Sequence, residues 1–434
     1  MKRLWKTALI LGTAALLPRA SADDRAGSDE PPVAAGTLSV PSLEFEAGAR
    51  NPALRAARAR WDAAKSEMPQ ASAWEDPQAE VDFGHDLTQA NNDTSVQWSL
   101  GQQIPWPGTT SARVSAAESE AVAALADLRQ EECEVGAQIR VAAARMAEAR
   151  AQLDLNRRNR DLLIRLIDTG RGRYESGQGN ETDVLMAETE LARNDEARAD
   201  WLRAYADAQA DIDTLLDRPP TEPLGAPVPL DPSPAEPPSL DALQALASAH
   251  SPVLVAAASR RDAAQTRIGL AELERRPRLE MSIQGRQFNG PGPAFQAYGA
   301  GVAISLPWAN DRRHKAEVLE ARKNAEAEQA DLEDMEAETA GHVREIWQEY
   351  ATSRHHAELY RTRVLPISRR TTEAARIAYE AGRGSFGDVI FALRAERDAE
   401  SDLIGHLASC QVALASLGPL TGDRLPPPFL PPTP

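Results

Sequence analysis

The chain is written twice. Asn51-Pro52-Ala53-Leu54 corresponds to Ser251-Pro252-Val253-Leu254, and Asp62-Ala63-Ala64 to Asp262-Ala263-Ala264, at an offset of 200. Pro105-Trp106 returns as Pro307-Trp308 at offset 202. Tyr174, Gly177, Gly179, Asp183 and Val184 return as Tyr379, Gly382, Gly384, Asp388 and Val389 at offset 205. The slow drift is what small loop insertions produce. A period of that length identifies two copies of one structural unit, each of about 180 residues. Any fold for this chain must use one architecture twice.

Each copy reads as helix, strand, strand, very long helix, sharp turn, helix. The first helices cover 43–74 and 240–275. Asn51-Pro52 and Ser251-Pro252 each read as an N-cap followed by proline at the first helical position, so a break is expected there. The strand segments 79–86, 96–104, 279–287 and 298–306 alternate apolar and polar residues with period two. Ala79, Val81 and Phe83, for example, alternate with Glu80, Asp82 and Gly84. Turn-rich loops at 88–94 and 289–295 join each pair. Strands of about ten residues cross a bilayer when tilted, although two hairpins on a soluble domain show the same alternation. Four strands cannot close a barrel, and lipid tolerates no open sheet edge. Membrane-embedded hairpins therefore require several chains to share one barrel. Trp74, Trp106 and Trp308 lie just outside strand ends, where the helices begin. That placement suits an aromatic belt at one membrane interface, and equally packing at a strand–helix corner.

The long helices, 111–174 and 312–379, each extend on the order of 100 Å at 1.5 Å per residue. Helices of that length must pack along their whole course. Pro366 predicts a kink in the second; Asp161 stands at the matching place in the first. The returning helices carry apolar heptad stripes, Trp201, Tyr205, Ala208, Ile212 and Leu215 in one, Leu403, Leu407, Cys410, Leu414 and Leu417 in the other. Between outgoing and returning helices stands a tip. Its glycines end one helix in the left-handed conformation. Thr182 or Ser385, followed by an acid, restarts the next.

Lys2, Arg3 and Lys6, a short apolar run at 8–17 and Ala20-Ser21-Ala22 read as an export signal over 1–22. Residues 23–40 read as a flexible polar segment. Nine prolines within 219–238 make an extended strap between the repeats, 41–218 and 239–420, and 421–434 is a proline-rich tail. No other stretch approaches twenty apolar residues, so no transmembrane helix is predicted. The chain is then periplasmic, secreted, or inserted in an outer membrane as strands. A net charge of −17 argues against nucleic acid as a partner. Cys133 and Cys410 sit at non-equivalent points and indicate no disulfide. The seven histidines make no metal-ligand spacing, and adjacent His355 and His356 point apart on a helix. No phosphate loop, dinucleotide fingerprint or nucleophilic triad is present, so neither cofactor nor enzyme activity is predicted.

The duplicated order and the duplicated Tyr-x-x-Gly tip followed by Asp-Val resemble the TolC family of outer-membrane efflux ducts, over about residues 41–420. Ile104-Pro105-Trp106-Pro107-Gly108, and Leu306-Pro307-Trp308 followed by Arg312-Arg313, are similar to the branch that serves heavy-metal efflux. The resemblance implies a mainly α fold with a β-barrel part. Three chains would share one twelve-stranded barrel in outer-membrane lipid, above a periplasmic helical tunnel. It implies a passive duct whose tips, with Gly177, Gly179, Val184, Gly382, Gly384 and Val389, dock on a periplasmic adaptor (membrane fusion) protein. The adaptor would link it to an inner-membrane pump of the resistance–nodulation–division type. Asp388 matches the family's acidic ring at the closed tip; Asp183 and Tyr379 match a pair that hydrogen-bonds between neighbouring tips. A family arginine aligns with Gly384, leaving Arg383 one residue off, and a second ring acid aligns with Phe391. Asp183 and Asp388 equally suit helix capping. The competing reading is a periplasmic adaptor or structural coiled-coil protein with soluble hairpins.

Overall fold

A computed structural model describes residues 34–86, 93–219, 222–289 and 295–423. The expected export signal, the start of the 23–40 segment, most of both hairpin loops and the tail beyond residue 423 lie outside them. The elements run β1 (Ala34–Thr37), α1 (Val40–Arg50), α2 (Pro52–Ser72), β2 (Gln78–Asp86), β3 (Asp93–Ile104), α3 (Thr109–Glu175), α4 (Glu181–Leu215) and β4 (Gly225–Ala226). The second repeat follows with α5 (Leu240–His250), α6 (Pro252–Glu274), β5 (Leu279–Asn289), β6 (Phe295–Ile304), a 3₁₀ turn (Pro307–Asn310), α7 (Asp311–Leu359), a π turn (Tyr360–Val364), α8 (Leu365–Glu380) and α9 (Phe386–Thr421).

Both first helices break at the expected prolines. Asn51 caps α2 by accepting from the Ala53 and Leu54 amides at 2.8 and 3.1 Å, and its amide donates to the Leu215 carbonyl at 2.9 Å. Ser251 occupies the matching position at a 44° bend but makes no cap; its hydroxyl is buried without a partner. At Pro366 the irregularity takes the form of the π turn that immediately precedes α8. Proline lacks an N–H and clashes with the carbonyl four residues back, and a widened turn relieves both.

The four long strands form one antiparallel sheet in the order β2-β3-β5-β6, so the hairpins of the two repeats join through β3 and β5. Directly opposed residues share a face. One face carries the rows Ala79–Leu100–Ile283–Ala300, Val81–Trp98–Gly285–Tyr298 and Ile104–Leu279–Ile304. The other carries Glu80–Ser99–Gln284–Gly299 and Asp82–Gln97–Arg286–Ala297. The apolar face is bare: Phe83 is 78% exposed and Tyr298 74%. Trp98 lies across Gly285, where a Cβ would come within 2.5 Å of the indole.

Below the sheet, α3 is the central column, with α2, α4, α6 and α9 packed along it. Its buried face is largely alanine, including Ala116, Ala121, Ala126, Ala142 and Ala149, which lets neighbouring backbones approach closely. Polar bridges fix its register. Asn156 donates to the Asn194 carbonyl at 2.7 Å and Asn194 returns a bond to the Asn156 side chain at 3.1 Å, tying α3 to α4. Gln152 and Ser401 do the same between α3 and α9. At the middle of α3, Arg140 pairs with Glu44 and Asp423, each at 2.7 Å. By composition and length α9 is apolar enough to cross a membrane, yet it packs on α3, α7 and α8 as a core helix.

The segment between the repeats is strapped to the bundle. Residues 34–37, within the stretch expected to be flexible, form β1 and pair in parallel with β4 of the strap. The prolines that follow offer carbonyls without amides, and one face of α7 supplies the donors. Trp347 Nε1 reaches the Pro238 carbonyl at 2.8 Å and the Tyr350 hydroxyl reaches that of Ala235 at 2.7 Å. Arg354 bonds Pro234 at 3.1 Å, and Arg361, in the π turn, bonds Pro232 at 3.2 Å. The extended strap is thus held as a ligand of α7.

Candidate functional site

Each tip is built by the same backbone device. At the first, Gly177 has φ 70°, its amide donates to Tyr174 at 3.0 Å, and the Gln178 amide donates to Arg173 at 2.8 Å. At the second, Gly382 has φ 71°, its amide donates to Tyr379 at 3.0 Å, and the Arg383 amide donates to Ala378 at 2.9 Å. This pair of bonds closes a helix C-terminus and needs a residue in the left-handed region, where glycine carries no Cβ penalty. Gly179 and Gly384 answer a different need. A Cβ at either would come within 3.0 Å of the preceding helix end, at the Tyr174 amide and the Ala378 side chain respectively.

The restart of the returning helices differs between the copies. Asn180, two residues before Thr182, caps α4, accepting from the Thr182 amide at 3.4 Å. Asp183 follows in the first turn. At α9 the expected Ser385 is the cap, in a reciprocal box: Ser385 accepts from the Asp388 amide and Asp388 accepts from the Ser385 amide, both at 3.1 Å. The Ser385 hydroxyl first, and its backbone N–H second, hold the Asp388 carboxyl below its ordinary pKa. Asp388 and Arg383 are both exposed.

The two tips of one chain pack on each other. Leu163 and Ile167 of α3, Val184 and Ala187 of α4, Tyr379 of α8, and Phe386, Val389 and Ile390 of α9 form one buried cluster. Val184 and Val389, expected at the docking surface, are turned inward. Leu185 and Phe391, close to them in sequence, point outward. Tyr379 is 7% exposed, whereas its counterpart Tyr174 is 48% exposed. The Tyr379 ring meets Phe386 edge-on at 5.3 Å, and the Arg173 guanidinium stacks over it at 4.6 Å. Arg173 also donates to the Tyr379 carbonyl at 3.3 Å. Burial pushes the Tyr379 phenol up, Arg173 opposes, and nearby Asp183 adds to the rise. Among the described residues the Tyr379 hydroxyl has no hydrogen-bond partner. The expected pair, Asp183 and Tyr379, is therefore brought into electrostatic range in one chain without a hydrogen bond.

One turn behind lies an ion pair that the repeat pattern did not disclose. Glu190 of α4 is buried and bonds Arg394 of α9 and, at 2.9 Å, Arg193. Burial opposes its charge, but the hydrogen bond and charge of Arg394, with Arg193, hold its pKa below the ordinary value. Arg173, Phe386, Glu190 and Arg394 escaped the sequence reading because they have no like residue in the other copy; difference between the copies was the available clue.

At the opposite end Trp74 and Trp106 line one recess under the sheet with Ile104 and Leu273, and Trp308 lies in the 3₁₀ turn after β6. All three are exposed. Among the described residues no group of three or more His, Cys, Asp or Glu is placed to hold a metal ion.

The arrangement offers a bare apolar sheet at one end of the molecule, an alanine-packed bundle on the order of 100 Å long, and two glycine-turned tips. The sequence profile of the family described as Outer membrane efflux protein matches residues 45–218 and 243–423. The cobalt-zinc-cadmium resistance protein CzcC of Cupriavidus metallidurans is 24% identical over 445 residues, covering 97% of this chain and all of that protein. Among solved structures, the outer-membrane channel OprN superposes with a TM-score of 0.75 at 19% identity, over 95% of this chain and 98% of that one. The outer membrane protein VceC of Vibrio cholerae does so with a TM-score of 0.75 at 15% identity, over 88% of this chain and 96% of that one. The chain belongs to the outer membrane efflux protein family and is a passive outer-membrane channel of an efflux system, with the fold of the known outer-membrane channels.

Proposed function

We propose that three copies of this chain form one duct. Each copy contributes four strands to a closed twelve-stranded barrel in the outer membrane, and the helices of all three line a periplasmic tunnel. The observation that carries this reading is the sheet itself: one apolar face without cover, and two outer strands, β2 and β6, each paired on one side only. Unpaired strand edges do not persist in lipid, and a four-stranded sheet is too narrow to close alone. Export of the chain relies on cleavage after Ala22.

The tips face the periplasm and dock on an adaptor protein that connects to an inner-membrane pump of the resistance–nodulation–division type. Gly177, Gly179, Gly382 and Gly384 shape that docking surface. Asp183 and Tyr379 form the gate, with Asp388 and Arg383 at its mouth; three Asp388 carboxylates around one axis repel each other and attract cations. Trp74, Trp106 and Trp308 mark the periplasmic interface of the membrane. The name of CzcC supports divalent metal cations as cargo.

Deleting the gene for this chain tests the cargo. Tolerance to cobalt, zinc and cadmium salts is expected to fall while tolerance to organic dyes and antibiotics stays. Loss of dye or antibiotic tolerance with unchanged metal tolerance contradicts the metal reading.

A further inference from the structure

Beside the π turn, α7 and α9 bring together side chains that the duct as described does not use. His356 of α7 and His406 of α9 set their rings 4.9 Å apart, tilted by 60°. Tyr360, one turn beyond His356, stands edge-on to His406 at 5.3 Å. Asp402, one turn before His406, lies by the Tyr360 hydroxyl. His355, the neighbour of His356 in sequence, is exposed and its ring is 6.0 Å from that of His356.

We propose that His356 and His406 bind one divalent transition-metal ion between α7 and α9. Imidazole nitrogen suits zinc, copper, cobalt and nickel. Metal–nitrogen bonds of about 2.0–2.1 Å in a tetrahedral arrangement place the centroids of two shared imidazoles roughly 5 Å apart. The rings already stand at 4.9 Å, on two different helices, so binding needs ring rotation and no helix movement. Asp402 adds negative charge beside them. With two protein ligands the remaining positions belong to water. Such a site exchanges its ion, unlike a structural site closed by four protein ligands. The ion would clamp α7 to α9 where the hydrogen-bond pattern of the long helix changes, in a region also tied to the strap by Arg361. Single-turn π segments recur at functional sites. The site stands on these two helices alone and does not depend on what the duct carries.

The test uses the full chain, purified in detergent and freed of metal with a chelator. Calorimetric titration with Zn²⁺ is expected to give one ion per chain, with affinity declining as pH falls through the histidine range. His356→Asn and His406→Asn should each weaken binding by more than about 100-fold, and Asp402→Asn, outside the ligands, by no more than the roughly 10–100-fold that loss of an outer-shell partner costs. His355→Asn should leave it unchanged. Thermal melts in chelator establish that each variant is folded. Electron paramagnetic resonance of the unmutated chain with Cu²⁺ gives a reading that needs no variant, and two coordinated imidazole nitrogens are expected. Zinc stoichiometry that survives the His356→Asn/His406→Asn double variant, or a copper spectrum without nitrogen coupling, overturns the proposal. The conductance of the same preparation reports on the duct separately, so loss of one reading leaves the other standing.

Discussion

Tyr379 and Tyr174 hold matching positions in the two repeats, yet one is buried and the other is not. The difference traces to the residue seven further on: Phe386 stands where the first copy has Glu181. An aromatic there draws Tyr379 under the tip; a carboxylate leaves Tyr174 in solvent. Phe386→Ala is expected to cost about 3–5 kcal/mol, the range for emptying a buried aromatic site. Hydrogen exchange should quicken in α8 and the start of α9, with the sheet unaffected. Glu190 provides a pH dependence. Its folded pKa lies below its unfolded value, so its stabilisation is fully present above the ordinary carboxylate range and is lost as pH falls through the folded value. Arg394→Met removes one partner while Arg193 remains. We expect a loss of about 1–3 kcal/mol at neutral pH, and an acid transition of the tip, followed by exchange, displaced to higher pH. The glycines, Asp183 and Asp388 were legible in the sequence because they recur. Arg173, Glu190 and Arg394 were not, because a contact between unlike copies leaves no periodic mark. For the same reason the meeting of His356 with His406, fifty positions away on another helix, has no spacing to betray it.

At the scale of elements, the strands were the most legible part. Strict alternation over about ten residues specifies which side chains share a face, whatever the register. Register itself came only with the structure, which pairs Trp98 with Gly285 and so explains a glycine in the middle of an apolar row. Helix breaks at Asn51 and Ser251 were readable from proline chemistry. The cap is Asn180 and not Thr182 because Asn180 is the true counterpart of Ser385 at offset 205, three residues beyond the left-handed glycine and three before the acid in both copies. The π turn before Pro366 is one of several ways to relieve the same clash, and local sequence does not choose among them. The pairing of β1 with β4 was hidden by its shortness and by the great separation of its strands. The strap makes a direct prediction. Trp347→Phe keeps the ring packed but leaves the Pro238 carbonyl without its donor, at a cost of about 1–3 kcal/mol. Differential scanning calorimetry should record that loss, and Tyr350→Phe should add to it.

For the whole molecule, the duplicated unit means that one chain brings two strands and one tip, twice, and stops short of closing anything. In the proposed trimer, a sheet with one apolar face and two open edges is a sector of a barrel, and two tips that bury each other's apolar residues are a sector of a tunnel end. Asp388→Ala tests that end. It should raise single-channel conductance and weaken block by multivalent cations; unchanged conductance and block would reduce Asp388 to the helix cap seen in the single chain. The central claim, that β6 of one copy pairs with β2 of the next, is tested by disulfide trapping. The native cysteines leave the background clean: burial pushes Cys133 up to about 12 and Cys410 up to about 11, so neither is a ready thiolate. With Val302→Cys on β6 and a scan of single cysteines along β2 from Gln78 to Gly84, oxidation in outer membranes should give covalent trimers at one antiparallel register. Chains that stay monomeric at every position, while their β2 thiols react with a water-soluble maleimide, would contradict it.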